Sequence, residues 1–368
     1  MTDLVLPHDL QPGDGRFGSG PSLVRAEALA SLAATGTSYM GTSHRRDGVR
    51  SVVGSIRRGL ADLFSLPDGY EVVLGNGGTT AFWDAALYRL ITERSQHAVF
   101  GEFSGKFAAA AAGAPHLEDP AIVEADPGSR PRLEGRSDID VHALTHNETS
   151  TGVMTPVERP TGDALVLVDA TSAAGAMAVD PAAFDAYYFA PQKAFGSDAG
   201  LWVALCSPAA IDRIGRLAFD RWAPPSIDLA IAVDNSRKDQ TYNTPALATL
   251  FLLADQIEWM HTRGGLEWAV HHGREAADLV YGWAESSDYA TPFVVDPAMR
   301  STTVATVDLD DAVPVDDLAA TLRANGIVDI EGYRKLGRNQ IRIAMFPNVA
   351  IDDLERLTKA IDWIVEHR

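Results

Sequence analysis

Lys193 sits in residues 187–196 (YYFAPQKAFG), flanked on both sides by apolar residues. A lysine so placed is poorly explained as a solvated surface charge. Burial lowers the pKa of an amine, and the neutral form is the one that attacks an aldehyde. The alternative is a lysine that lays its stem on apolar surface and keeps its head in water. Upstream, Asp169 closes the apolar run in residues 164–172 (ALVLVDATS). A carboxylate at the carboxyl end of a buried strand can pair with a buried cation, such as a protonated pyridine nitrogen. It can equally be a turn or helix-capping aspartate. Residues 75–80 (GNGGTT) follow an apolar run and open a helical pattern. Free backbone N–H groups and the positive end of a helix hold phosphate in that arrangement, with a plain glycine-rich turn as the alternative. The spacing fits neither the P-loop lysine pattern nor the dinucleotide fingerprint.

The elements that must position these groups alternate along the chain. Helical spacing is predicted over residues 49–64 and 79–91. Strands are predicted over residues 70–74, 98–101, 121–125, 141–145, 164–169, 186–189 and 201–206. Short strands apolar on both faces and separated by helices predict a mostly parallel, seven-stranded sheet covered on both sides. Ligands in such folds bind beyond the carboxyl ends of the strands, where Asp169 and residues 75–80 fall. Residues 245–272 read as one helix. After residue 301 comes a smaller α+β pattern, with strands at 303–309 and 340–344, a helix at 315–325 and a last amphipathic helix from 352 to the end. The expected organisation is an N-terminal arm (1–15), a large α/β domain (16–256) and a small C-terminal α+β domain (257–368).

Composition removes several classes of partner. The chain has 368 residues, 46% of them hydrophobic, enough for more than one core. A net charge of -19 argues against nucleic acid or an anionic membrane, either of which needs a basic face. No apolar run approaches the roughly 18 residues of a membrane span, and the first residues lack a signal-peptide pattern, so a cytoplasmic protein is expected. One cysteine, Cys206, allows no internal disulfide. No metal is expected. His142, His146 and Glu148 straddle a strand end without a fourth ligand, and His271 and His272 read as solvated surface.

Taken together and in order, these segments resemble the aspartate-aminotransferase superfamily of pyridoxal-phosphate enzymes (type I fold, class V). Within it the resemblance is to the phosphoserine aminotransferase family, in its actinobacterial branch. It extends over nearly the whole chain. It is carried by residues 14–22 (DGRFGSGPS), 41–45 (GTSHR), 75–80 (GNGGTT), 146–152 (HNETSTG), 187–195 (YYFAPQKAF), 240–245 (QTYNTP) and 333–338 (YRKLGR).

The resemblance implies the site residue by residue. Lys193 holds pyridoxal 5'-phosphate as a Schiff base and moves protons, and Asp169 pairs with the pyridine nitrogen. Gly78, Thr79 and Gln192 bind the cofactor phosphate, joined by Asn243 and Thr244 from the other subunit of a homodimer. Thr149 meets the ring oxygen, and Phe107 stacks on the ring where the family has a tryptophan. Arg342 takes the substrate α-carboxylate; His44, Arg45 and Arg334 take the distal phosphate or carboxylate. Thr79 and Tyr333 stand where many members have arginine and histidine, so the distal pocket is rearranged. Without the resemblance, Arg334, Arg338 and Arg342 read as a basic surface loop. The implied reaction moves an amino group between glutamate and 3-phosphohydroxypyruvate, giving O-phosphoserine for serine biosynthesis. A role with 4-phosphohydroxy-L-threonine in pyridoxine biosynthesis stays open.

Rival readings are a serine–glyoxylate-type aminotransferase, a cysteine desulfurase and a non-catalytic sensor domain. The first would not need His44, Arg45 and Arg334 together. The second needs a reactive cysteine on a loop, whereas Cys206 ends a predicted buried strand. The third carries a DNA-binding segment that this sequence lacks.

Overall fold

The computed structural model of the protein describes residues 4–367. Its strands, in chain order, are β1 (Glu71–Asn76), β2 (Ser95–Val99), β3 (Ala121–Glu124), β4 (Val141–Thr145), β5 (Asn147–Glu148), β6 (Val153–Met154), β7 (Leu165–Asp169), β8 (Ala186–Phe189), β9 (Leu201–Cys206), β10 (Ala290–Pro292), β11 (Val304–Leu309) and β12 (Gln340–Ala344). The helices are α1 (Ala26–Ala34), α2 (Asp47–Leu63), α3 (Thr79–Arg89), α4 (Glu102–Ala112), α5 (Pro208–Asp220), α6 (Leu229–Ser236), α7 (Leu247–Thr262), α8 (Gly265–Ser286), α9 (Val315–Ala324) and α10 (Ile351–Glu366).

The main sheet has seven strands in the order β1-β9-β8-β7-β4-β2-β3, with β9 antiparallel to both of its neighbours and the other pairings parallel. Strands β4, β7, β8 and β9 are buried at every residue, which is why they read as unbroken apolar runs. Their alternate residues supply two cores. Val166, Val168, Tyr187, Phe189, Val203 and Leu205 pack on one face with α2 and α7. Leu165, Leu167, Ala186, Tyr188, Trp202 and Ala204 pack on the other with α3, α5 and α6. A third core gathers β11, β12, α9, α10 and the second half of α8, together with Leu6 and Phe17 from the N-terminal segment. Its sheet is antiparallel, in the order β10-β11-β12.

Three sequence expectations change. The single helix over 245–272 is two, α7 and α8, broken at Gly264 and Gly265, whose φ values of 110° and 68° suit residues without a Cβ. The strand placed at 98–101 is β2, Ser95–Val99, because Gly101 already caps the next helix. That helix, α4, has an alanine-rich sequence with little apolar periodicity to reveal it. The last helix, expected to run to residue 368, is α10; residues 1–3 of the expected arm and residue 368 lie outside the described residues. Among the described residues, no helix is long and apolar enough to cross a membrane.

One buried ion pair ties the helices that carry the glycine-rich turn. Arg89, in the last turn of α3, donates to both carboxylate oxygens of Asp228 at 2.8 and 2.6 Å and to the Arg221 carbonyl at 2.7 Å. The two side chains are only 3% and 12% exposed. Asp228 also caps α6 through the Ala230 N–H. Removing one partner strands a buried charge, which costs about 3 kcal/mol or more. Asp228→Ala is therefore expected to destabilise the fold by that order, read as a lower urea midpoint at unchanged m-value; an unchanged midpoint would remove this pair from the account of stability.

Candidate active site

A cavity of about 390 Å³ opens where β1, β4, β7 and β8 end and antiparallel β9 begins. Gly78, Thr79, Thr149, Asp169, Gln192 and Lys193 all line it. Six positions scattered over the sequence meet there because each closes, or follows within a few residues, one of the strands β1, β4, β7 and β8, which end on the same side of the sheet.

Lys193 is largely buried in the cavity wall, and its Nζ donates to the Ser19 carbonyl at 2.5 Å. Burial first, and the Arg342 guanidinium second, bring its pKa down to about 8. About a tenth of the amine is then neutral at pH 7, far more than an ordinary lysine offers, and the neutral form is the one that attacks. The lysine lies so close to Gly20 that a Cβ there would sit 1.9 Å from Nζ. Gly20 also has φ +145°, open to glycine and rare for other residues.

Asp169 closes β7 and is 5% exposed. Its Oδ1 accepts the Thr171 N–H at 3.0 Å and its Oδ2 the Trp83 indole N–H at 3.2 Å. Burial raises its pKa to about 6, against the pull of those donors. A buried carboxyl near this value holds its charge well when a cation joins it.

Gly78 caps α3, and its side-chain-free turn leaves the first N–H groups of the helix without intrahelical acceptors. Thr79 Oγ1 lies 2.7 Å from Thr171 Oγ1. Gln192 Oε1 is buried without a hydrogen-bond partner, as is Asn147 Oδ1. Thr149 Oγ1 donates to Ser172 Oγ at 2.8 Å, and Ser172 in turn donates to the Asn147 carbonyl at 3.0 Å.

Glu148 is fully buried. Its carboxylate accepts from the Ser104 N–H and Oγ, both at 2.9 Å, from the Phe103 N–H at 3.1 Å and from Ser150 Oγ at 2.7 Å. A negative charge on the first N–H groups of α4 complements the helix dipole. The sequence raised Glu148 inside the 146–152 segment and as a member of a discarded metal set, without a role in the site. Of the other two members, His142 Nδ1 pairs with Gln96 Oε1 at 2.9 Å and His146 Nδ1 with the Tyr187 hydroxyl at 3.0 Å.

Arg342, on β12, reaches the Thr149 carbonyl with Nη1 at 3.3 Å, while its Nε is buried without a partner. Its guanidinium lies over the Tyr333 ring, 5.5 Å from the centroid. Burial lowers its pKa. Arg342 is thus not part of a surface loop. Arg338 is spent on a two-pronged pair with Asp308, and Arg334 is exposed. The segment bearing Arg334 is tied to the start of α4 by an ion pair between Lys335 and Glu102, and by Tyr333 against Phe103, 6.1 Å between rings.

Neither Arg334 nor Arg342 is among the residues that line this cavity, and five further expected residues stand outside it as well. Phe107 does not line it: it is 4% exposed in the core between α3 and α4, stacked on Trp83 at 5.9 Å and edge-on to His97. The α4 ring that reaches the cavity is Phe103, one turn earlier. This corrects the expectation for Phe107; a helix turn separates the residue that faces the site from the one that braces it. His44, Arg45, Asn243 and Thr244 form a surface group. Thr244 Oγ1 lies 3.3 Å from His44 Nδ1, and Arg45 donates to Gln240 Oε1 at 2.6 Å. Asn76 at the end of β1 donates to the Thr244 carbonyl at 3.1 Å. His272 is also corrected: its ring lies 2.8 Å from the Val349 carbonyl and is half-buried, because α8 packs that face against the chain before α10. Cys206 is buried, which pushes its thiol up to about 12 and leaves it inert.

Sequence reading missed Trp83, Phe103, Glu148 and Gly20 as site residues. Trp83 had a signal, since it lies four residues after Thr79 on the same helix and shares its face. Gly20 and Glu148 lay inside motifs already singled out; what they touch is decided by long-range packing.

The sequence signature of the class-V aminotransferases matches residues 133–357. The chain is 57% identical to a phosphoserine aminotransferase of Nocardioides sp., covering 100% of both chains, and 57% identical to that of Rhodococcus jostii, covering 98% of both. In three dimensions it is similar to a phosphoserine aminotransferase of Cytophaga hutchinsonii, with a TM-score of 0.87 and 26% identity over 95% of this chain and 99% of that one. The fold and site thus define a class-V aminotransferase. Within that class, the chain belongs to the phosphoserine aminotransferase family.

The residues present fit pyridoxal phosphate. A buried amine and a buried carboxyl share one cavity, the Gln192 oxygen there lacks a partner, and the start of α3 offers free N–H groups beside it. Because Lys193 must be neutral to react, capture of the cofactor by the cofactor-free protein is expected to quicken as pH rises through about 8. Arg342→Met removes a neighbouring positive charge and so should move that midpoint upward, as followed by stopped-flow absorbance. A midpoint near the ordinary lysine value in the native protein would contradict the buried setting of Lys193. Gly20→Ala should abolish capture while far-ultraviolet circular dichroism stays native-like, since the added Cβ occupies the place of Nζ.

Proposed function

We propose that the protein transfers the amino group of L-glutamate to 3-phosphohydroxypyruvate, giving O-phospho-L-serine and 2-oxoglutarate, with pyridoxal phosphate held at Lys193. The observation that carries this reading is the convergence of a neutral-prone buried amine, a buried carboxyl and a free helix N-terminus in one cavity, in a chain 57% identical to full-length members of the family. When bound, the cofactor supplies an aldehyde and an electron-withdrawing ring that stabilises negative charge at the substrate Cα. Lys193 would take the proton from that carbon and deliver it to the cofactor's C4′, the reverse transfer serving the second half-reaction. Asp169 faces the ring nitrogen. The N–H groups of Gly78 and Thr79, with Gln192, hold the phosphate, and Thr149 meets the ring oxygen. Phe103 supplies the apolar wall.

Two anions must be held on the substrate. Arg342 takes the α-carboxylate; the buried, unpaired Nε supports this, because a guanidinium left with unused donors gains most from a carboxylate. Arg334, His44 and Arg45 take the distal phosphate, or the γ-carboxylate of glutamate. His44, Arg45, Asn243 and Thr244 cluster at the surface without lining the cavity of their own chain, so we assign all four to the cavity of a partner subunit in a homodimer. Met40 and Tyr242, exposed apolar residues beside them in sequence, suit a covered face. The same anion contacts would accept 4-phosphohydroxy-L-threonine. The large unit comprises residues 16 to about 256. We infer that the small unit draws its core from the second half of α8 onward together with the N-terminal segment. A cytoplasmic enzyme of serine biosynthesis is the setting we assign.

The test is the visible spectrum of the loaded protein on adding O-phosphoserine, with serine as control. The band should bleach with O-phosphoserine and persist with serine, and Arg45→Ala should lose the response to O-phosphoserine. Equal bleaching by serine would favour a small-substrate aminotransferase instead. Mixing Lys193→Ala with Arg45→Ala chains should restore part of the turnover if the distal anion group crosses between subunits.

A further inference from the structure

We propose that Trp83 is the positioning residue for Asp169: its indole N–H fixes one carboxylate oxygen so that the group meets the cofactor's ring nitrogen in one orientation and as an anion. This rests on the reading of the cavity as a pyridoxal-phosphate site.

The geometry leaves Asp169 with neutral donors alone. Thr171 N–H occupies Oδ1 at 3.0 Å and Trp83 Nε1 occupies Oδ2 at 3.2 Å. A carboxylate oxygen has two acceptor positions, so Oδ2 keeps one for a donor in the cavity. A guanidinium or ammonium in place of the indole would neutralise the carboxylate and compete with a ring cation. An indole donates, carries no charge and does not titrate in the working range. It therefore holds the carboxylate without answering its charge. The charged and titratable groups facing Asp169 are Lys193 across the cavity, Glu148 on the β5 segment and the phenols of Tyr187 and Tyr188 on β8. Glu148 and burial both press the carboxyl toward its neutral form; the Trp83 and Thr171 donors oppose them.

The indole is held in turn. Trp83 is 3% exposed and its ring stacks on Phe107 at 5.9 Å with 13° between planes. Phe107 is wedged edge-on between His97 and Tyr188, at 4.9 and 6.4 Å. The aromatic residue of α4 that does not reach the cavity thereby has a part in it, as the brace behind Trp83.

Two measurements on the cofactor-free protein test this apart from turnover: the titration of the Asp169 carboxyl by carbon NMR, assigned with Asp169→Asn, and the dissociation constant of pyridoxal phosphate by equilibrium dialysis. Trp83→Phe keeps an aromatic ring but loses the donor. It should shift the Asp169 midpoint upward and weaken cofactor binding roughly tenfold or more, the scale of a lost buried hydrogen bond to a charged group. Trp83→His, which retains a ring N–H, should recover part of both. Loss of thermal stability alone would move neither measurement. An Asp169 midpoint and a cofactor affinity unchanged in Trp83→Phe would overturn the proposal. Should Trp83→Phe fail to fold, Phe107→Leu decides: a smaller shift in the same directions supports the brace, and none overturns it. If the native protein itself binds no pyridoxal phosphate, the cofactor reading fails, while the Asp169 titration still judges Trp83.

Discussion

The burial of one lysine governs this site. An ammonium group taken out of water loses hydration that a protein interior does not replace cheaply, so its proton is held less tightly. Lys193 is largely buried with a backbone carbonyl as its hydrogen-bond partner among the described residues, and Arg342 adds repulsion rather than relief. That arrangement costs stability in the charged form and yields a nucleophile in the neutral one. Several surrounding features follow from it. Gly20 must lack a side chain, the Ser19 carbonyl must point inward, and the strands that carry the neighbours must be rigid enough to keep water and counter-charges away.

Asp169 poses the complementary problem, a buried carboxyl that must be anionic when a cation arrives. The solution in this chain is to surround it with neutral donors, one from the backbone after β7 and one from α3. Lysine and aspartate thus share a cavity, where the carboxylate raises the proton affinity of the amine without a hydrogen bond between them to quench either. A direct pair would be more stable and chemically idle.

The wall opposite is organised by Glu148. Its carboxylate binds the first N–H groups of α4, which sets the direction in which Phe103 enters the cavity. The same first turn carries Glu102, tied to Lys335 beside Arg334. One helix start therefore links the cavity wall to the segment that carries a candidate anion-binding arginine, so the two are placed relative to one another by a short chain of contacts rather than by the sheet alone.

Much is legible in the residue order. Buried strands read as apolar runs because both faces of a parallel sheet are covered, and the rule that ligands gather beyond strand ends points at Gly78, Asp169 and Lys193 from the spacing of those runs alone. Local chemistry is written locally: a glycine-rich turn before a helix, a carboxylate closing a strand, a lysine among apolar residues. Tertiary structure decided which of two rings on α4, Phe103 or Phe107, faces the cavity, because the two share one side of the helix and differ by a turn along its axis, so where the helix docks separates wall from brace. It also decided that Trp83 and Glu148 belong to the site, that Arg342 is buried and Arg334 exposed, and that Gly264 and Gly265 break what periodicity reads as one helix. Sequence pattern records which side of an element is apolar; what lies against that side depends on contacts between residues far apart in the chain, and spacing along the chain does not encode those.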